Sequence, residues 1–420
     1  MHINERSLTM NAKIAEWSRR TGWGPATATN LFTLFYLLLL GLVVLVLIPK
    51  TGPALLFPAY FLVGMLLITA ANRSLPVRWV VFCFLYGAIL VSLVTLLLSW
   101  PFAQLLGRDS RFFSCLIGPL LEESLKVVPL LVLLRLRWWR FRWTAGASDL
   151  MILGAAVGGG FAFFEDFMLS YTPGLGMSAA RFLMETHQAT PHLGPFYLFP
   201  GMDIGYSNSA FIGHTAATAF VGLCLGLARM LASRGGKWVW ILPLWAWVWM
   251  VVDHGFFNFI ADTGRISGFG QFLYSLDGQG RLSSIVFYLL VVGTIVFERT
   301  ILARHRQRMR PFDLNRDNLK ILKSLSTGVL AFVEHLANLR IYTRERRGLG
   351  YGLHYYHSAP DKSSGVALER RAYLEGVIHS LVDWKSRIEV TPSLTPDRLE
   401  KVRAAWRESY PSENGTTGGG

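Results

Sequence analysis

The sequence predicts an all-α fold, a polytopic membrane helical bundle of about eight transmembrane helices with a small cytoplasmic helical C-terminal region. Three observations predict it. Charged residues make up only 16% of the 420 positions, where soluble domains carry roughly 25%. That shortfall is uneven, since residues 1–298 hold 34 of the 68 charges and the last 122 hold the rest. And the apolar content, 52% with 28 Phe and 14 Trp, exceeds what a water-soluble interior can absorb.

A span needs about 20 mostly apolar residues to cross roughly 30 Å of hydrocarbon. Eight segments qualify: 31–48, 54–71, 79–100, 112–134, 149–170, 207–228, 238–260 and 282–302. The second is short and contains Pro58. Lysine and arginine favour the cytoplasmic side of short loops. With the N-terminus inside, 13 basic residues fall in inside pieces (among them Arg73, Arg78, Arg135, Arg137, Arg140 and Arg142) and six outside (Lys50, Arg108, Arg111, Arg181, Arg265 and Arg281). An even number of spans also leaves Arg299, Arg304, Arg306, Arg308 and Arg310 inside, next to anionic lipid. Both termini are therefore expected in the cytoplasm, with the plasma membrane as the location.

This divides the chain into a cytoplasmic segment 1–30, a transmembrane domain 31–302 and a cytoplasmic region 303–420 that is helical before it ends in a disordered tail. Within the last, Leu319, Leu322, Val329, Phe332, Val333 and Leu336 recur at helical spacing, and Thr395-Pro396-Asp397 resembles a helix start. His354 and His357 flank two tyrosines there and read as surface residues. The loop 170–206, rich in proline and aromatics, is the longest outside piece.

The net charge of +14 is accounted for by inside-facing loops and the tail, so no nucleic-acid partner is expected. Cys83, Cys115 and Cys224 sit in apolar runs without CxxC spacing, which excludes disulfide partners and a cysteine-built zinc site. The first apolar run is long and starts late, unlike a cleavable signal peptide.

A charge inside a bilayer costs roughly 2.5–3.5 kcal/mol on insertion scales, so an intramembrane ionisable residue is a functional candidate by default. The fourth span carries Glu122, Glu123 and Lys126; the fifth Glu165 and Asp166; the sixth His214 and Thr218; the seventh Asp253, His254 and Asn258. On a helix Lys126 lies one turn beyond both glutamates and between them, so it can hold one carboxylate while the other stays available. His214 with Thr218, and His254 with Asn258, stand four apart and project from one face, each pair offering donors to a single point. At about 1.5 Å per residue, His214, Glu165, His254 and Glu122 all fall in the outer half of the membrane. Pro119 and Pro129 flank the acidic pair and release backbone carbonyls beside it. Gly154, Gly158, Gly159 and Gly160 on the fifth span, with Gly222 and Gly226 on the sixth, read as close-packing residues. Asp166 and Asp253 are not counted among the site residues.

At these residues the sequence resembles the PrsW family of intramembrane endopeptidases, within the group that includes the CAAX prenyl endopeptidases and bacteriocin-processing proteases. The match is Glu122-Glu123-x-x-Lys126, then Phe161-x-x-x-Glu165, then His214, then His254-x-x-x-Asn258, over about residues 110–262. Glu165, where the CAAX branch has histidine, favours the PrsW branch. The resemblance implies a glutamate-type peptidase acting on membrane-anchored protein substrates, possible examples being anti-sigma-factor-like proteins. In it Glu122, tuned by Glu123 and Lys126, deprotonates a water. His214, His254 and Asn258 donate to the oxyanion or hold the water, and Glu165 orients a histidine or shares its proton.

On this reading no cofactor is needed. A zinc-dependent alternative would use Glu122, Glu165, His214 and His254 as ligands around an open position. A proton-coupled transporter is a third reading, and it predicts polar residues strung across the whole thickness of the membrane.

Overall fold

Lipid offers no partner to a backbone N–H or C=O, so apolar runs of this length must close their hydrogen bonds within themselves. The computed structural model describes residues 52–107, 110–135, 143–171, 212–263, 281–314, 329–358 and 365–389, with a few isolated positions besides, and these are helical with no strand among them. Helix α1 is Gly52–Ile68. Helix α2, Val77–Leu85, runs through a π-helical stretch, Tyr86–Val91, into α3, Ser92–Leu106. A second π-helical stretch, Phe113–Ile117, leads into α4, Gly118–Arg135. Then follow α5 (Ala147–Tyr171), α6 (His214–Gly235), α7 (Ile241–Thr263) and α8 (Arg281–Arg304).

Five helical stretches are long and apolar enough to cross a membrane: Val77–Leu106, Ala147–Glu165, His214–Ala232, Gly236–Phe259 and Leu282–Arg304. The protein is a helical bundle that passes the membrane several times. The expected span 31–48 and most of the loop 170–206 lie outside the described residues. The expected span 112–134 corresponds to the second π stretch and α4, whose two glutamates, lysine and arginine keep it from the apolarity of the others. The expected span 207–228 needs correction, because helix α6 begins only at His214. Gly213 has φ +81°, which a right-handed helix cannot continue, so His214 is the first residue of its helix rather than one buried two turns inside it.

Helices α5 and α6 form the centre. A Cβ added to Gly154 would lie 2.4 Å from the carbonyl oxygen of Thr218, one on Gly158 2.2 Å from that of His214, and one on Gly222 2.5 Å from that of Leu150. Numbers rise on one helix as they fall on the other, so the pair is antiparallel with backbones nearly touching, as small residues four apart allow. Leu93, Leu96, Leu97 and Trp100 on α3 are exposed and face the lipid instead.

One end of this unit is held by a polar clamp that the sequence reading did not single out. Asp149, in the first turn of α5, is fully buried and accepts the backbone N–H groups of Ser74, Leu75 and Gly146 at 2.9–3.2 Å and the Ser74 hydroxyl at 2.7 Å. Glu298 of α8, also fully buried, accepts the Ser148 N–H at 2.9 Å, the Ser148 hydroxyl at 2.7 Å and the Asn72 amide at 3.1 Å. Both carboxylates thereby satisfy the N-terminal donors of α5 and tie the α1–α2 connection and α8 to it.

The chain divides into two compact units at Ile301/Leu302. In the second, α9 (Val329–His357) packs on α10 (Gly365–Ile388) around Phe312, Tyr342, Leu349, Leu353, Leu374 and Leu381. Lys385 Nζ donates to the carbonyls of Asp313 at 2.6 Å and Pro311 at 3.2 Å, and the Tyr342 hydroxyl donates to that of Phe312. The surface reading of the histidines is corrected for His354, which is only 6% exposed, while His357 stacks on His305 with ring centroids 5.6 Å apart. Burial, with His354, Arg308 and Arg304 nearby, holds His305 down to a pKa of about 4. Leu319, Leu322 and the 395–397 helix start lie outside the described residues.

Overpacking a closed helix pair costs typically about 1–3 kcal/mol. Gly222→Ala, which drives a methyl group into the carbonyl of Leu150, is expected to lower thermal stability in detergent by that order. Gly293→Ala on α8, where nothing lies within 4 Å of the added Cβ, is expected not to.

Candidate functional site

Helix α4 places Glu122, Glu123 and Lys126 on adjoining faces, and burial sorts them. Lys126 Nζ donates to Glu123 Oε1 at 2.7 Å, with both side chains at 2% exposure or less. Two opposite charges are tolerated in such a place because each neutralises the other and both are hydrogen bonded. The ammonium also lies 2.7 Å from His214 Nδ1 on α6 and 4.2 Å from the centroid of the Phe161 ring on α5.

These contacts assign the histidine protons. An ammonium group has donors only, so toward a charged Lys126 His214 Nδ1 accepts and the ring proton sits on Nε2, although Nδ1 also lies 3.4 Å from Glu123 Oε1. From there it is donated to Glu165 Oε2 at 2.9 Å. Glu165 is the most exposed member of the group, at 37%. On α7, His254 Nδ1 donates to Glu123 Oε1 at 3.1 Å. His254 Nε2 lies 3.9 Å from Glu122 Oε2. Glu122 Oε2 is buried and has no hydrogen-bond partner among the described residues. The two imidazoles meet edge to face, 4.8 Å between centroids.

Six of the seven residues singled out in the sequence thus form one contact network: Glu122, Glu123, Lys126, Glu165, His214 and His254. Asn258 takes a different part. Its Nδ2 donates to the backbone carbonyl of Ser114 at 2.8 Å, so it does not share an aim with His254. Thr218 likewise turns back and donates to the carbonyl of His214 at 3.0 Å. A free side-chain donor in a helix finds the nearest carbonyl, and spacing alone does not reveal that choice. Asp253 is buried at 4% exposure, and the side chain of Asp166 lies outside the described residues. Phe161 is the residue whose part the sequence left unstated: it floors the lysine and meets His214 edge-on at 5.1 Å.

Donor atoms of Glu122, Glu123, His214 and His254 lie within 4.8 Å of one another, a grouping that could hold a metal ion and that has Glu123 in place of the expected Glu165. A catalytic zinc takes three protein ligands, and the Lys126 ammonium competes for two of the donor atoms, Glu123 Oε1 and His214 Nδ1.

The second carboxylate set, Asp149 and Glu298, is about 24 Å along α5 from Glu165 at 1.5 Å per residue. Its oxygens are already met by backbone N–H, hydroxyl and amide donors, so it reads as a structural clamp and not as a continuation of a proton path.

Residues 75–192 match the family model described as PrsW family intramembrane metalloprotease. The matched stretch contains Glu122, Glu123, Lys126, Phe161 and Glu165, and stops before His214, His254 and Asn258. Comparison with curated proteins and with solved structures returns no match. Over this stretch, 118 of the 420 residues, the chain is similar to PrsW family intramembrane proteases, which supports a membrane-embedded peptidase.

Removing one partner of a buried ion pair strands the other, at about 3–5 kcal/mol. Lys126→Met is therefore expected to lower stability by that order in thermal unfolding, whereas Glu165→Gln, at the exposed edge, is expected to cost under about 1 kcal/mol.

Proposed function

We propose that the protein is a PrsW family peptidase that hydrolyses peptide bonds of membrane-anchored protein substrates, with Glu122 as general base toward a water held between Glu122 and His254. The observation that carries the reading is Glu122 Oε2, a carboxylate oxygen that is buried and unbonded among the described residues, with His254 Nε2 3.9 Å away. A buried carboxylate oxygen so placed calls for a donor, and a water molecule is one.

The steps follow from the proton assignments. Glu122 takes one proton from the water, and the hydroxide oxygen adds to the scissile carbonyl carbon. The carbonyl oxygen becomes an oxyanion. His214 Nε2–H, which donates to Glu165 at the exposed edge of the site, turns from that carboxylate to the oxyanion and stabilises it. Glu122 then passes its proton to the amide nitrogen, the C–N bond breaks, and a carboxylic acid and an amine leave. Lys126 and Glu123 touch no reacting atom in this scheme. They hold the two imidazoles in their tautomers.

A zinc-dependent reaction is the second reading, favoured by the description of the matched family and by the clustering of donors. Lys126 stands against it, for the reason of ligand number given above. The site belongs to the outer half of the membrane on the orientation drawn from the basic loops, with both termini cytoplasmic, a plasma-membrane location, and the region 303–420 as a cytoplasmic appendage. Single-span proteins of the anti-sigma-factor kind are the substrate class that this placement suits.

Co-expression with a panel of tagged single-span proteins is expected to yield fragments that vanish with Glu122→Gln, since loss of a general base costs about 10²–10⁴ in rate. Cleavage by purified protein is expected to persist in o-phenanthroline or EDTA, with no stoichiometric zinc by elemental analysis. Chelator-sensitive cleavage restored by zinc would replace the glutamate reading with the metal one.

A further inference from the structure

Asn258 is bonded where the helix carrying the glutamates has lost a donor. In the π-helical stretch Phe113–Ile117 the hydrogen bonds run from residue i+5 back to residue i, and the Gly118 N–H accordingly donates to the carbonyl of Phe113. The next bond in that register would run from residue 119 to Ser114. Residue 119 is proline and has no N–H. The ordinary α register would instead run from 119 to Cys115, and it fails for the same reason.

The carbonyls of Ser114 and Cys115, the two that an N–H at residue 119 would serve in the π or the α register, both lie against α7. Asn258 Nδ2 donates to Ser114 at 2.8 Å. Three residues earlier on the same side of α7, Gly255 lies so close that an added Cβ would come within 2.3 Å of the Cys115 carbonyl oxygen. An unserved carbonyl at membrane depth is costly.

We infer that Asn258 is a positioning residue, which supplies from α7 the hydrogen bond that Pro119 denies to the glutamate-bearing helix and so fixes the rotation of Glu122 and Glu123. The lever is short. Glu122 and Glu123 follow Pro119 by three and four residues, and relaxing a π turn to an α turn rotates everything beyond it by about 100°. His254, one turn before Asn258, bonds Glu123 and faces Glu122. Helix α7 thus grips α4 twice, once at the carboxylates and once at the break that aims them. The functional sense of this placement rests on the reading that these carboxylates carry the reaction.

The test is a double-mutant cycle in the full-length purified protein, using a fluorogenic single-span peptide that the wild type cleaves, with Glu122→Gln as the blank. Asn258→Ala is expected to lower kcat about 10- to 100-fold with KM within about twofold. Pro119→Ala, which restores an N–H to the helix, is expected to stay within about threefold of wild type. Added to Asn258→Ala it is expected to return kcat to within about threefold of wild type, a strongly non-additive result. An amide acting directly on the substrate predicts the opposite: the double variant would be as slow as Asn258→Ala, and that result overturns the inference. So does full activity of Asn258→Ala alone. If Asn258→Ala does not fold, the same cycle is read on the monodisperse yield, where rescue by Pro119→Ala supports the inference and absence of rescue overturns it. Wild-type cleavage by Glu122→Gln would sink the glutamate reading while leaving the cycle, and the inference drawn from it, to stand or fall separately.

Discussion

The buried ammonium of Lys126 is the charge on which the arrangement of the site depends. It is fully enclosed, bonded to Glu123 and to His214, and seated over Phe161, so it joins α4, α5 and α6 at one point. A buried cation is sustained only if its hydrogens are spent and its charge is met. Meeting that demand settles the rest. Glu123 must be anionic, His214 must accept at Nδ1, and His254 must donate to Glu123. Glu165 then receives the His214 proton, and Glu122 is the one carboxylate of α4 left outside the chain of bonds. The group assigned to chemistry is the one that the structural bonds do not consume.

A bilayer protein retains few charges, and two groups of buried ones among the described residues have opposite characters. Asp149 and Glu298 are saturated by backbone N–H groups, hydroxyls and an amide, which is how a helix start and two connections are fastened together. In the other group, Glu122 Oε2 is buried without a hydrogen-bond partner among the described residues, and Glu165 reaches the surface. Saturation makes a fixed joint, whereas an incomplete network leaves room for a water molecule and a peptide carbonyl.

Much of this was legible in the sequence. Exclusion of charge from long runs announces helices in lipid, and the exceptions to that exclusion, on four successive segments, name six of the residues that meet. What a linear reading missed follows from what it lacks. The start of α6 was placed seven residues early, because apolarity continues through a glycine whose positive φ ends any helix. Asn258 and Thr218 were given a common aim with their histidines because a 100° step says which face a side chain occupies and not which carbonyl it finds there. The Asp149–Glu298 clamp was overlooked because its partners are mostly backbone atoms, which carry no sequence signature.

The packing glycines and the site are one construction. Gly158 approaches the His214 carbonyl so closely that a Cβ would stand 2.2 Å from it, and 2.7 Å from Thr218 Oγ1. Phe161 and Glu165 follow on α5 three and seven residues later, on the face that Gly158 turns to α6. Their contacts with His214, 5.1 Å between ring centroids and 2.9 Å from nitrogen to oxygen, are therefore set by how far α5 and α6 can close. A side chain at 158 would hold the helices apart, and a hydrogen bond weakens steeply once its atoms separate by a few tenths of an ångström beyond 3.2 Å. The small residues of the central pair, which bear no chemistry of their own, thus determine whether the histidine proton has an acceptor, and through it whether the lysine has one.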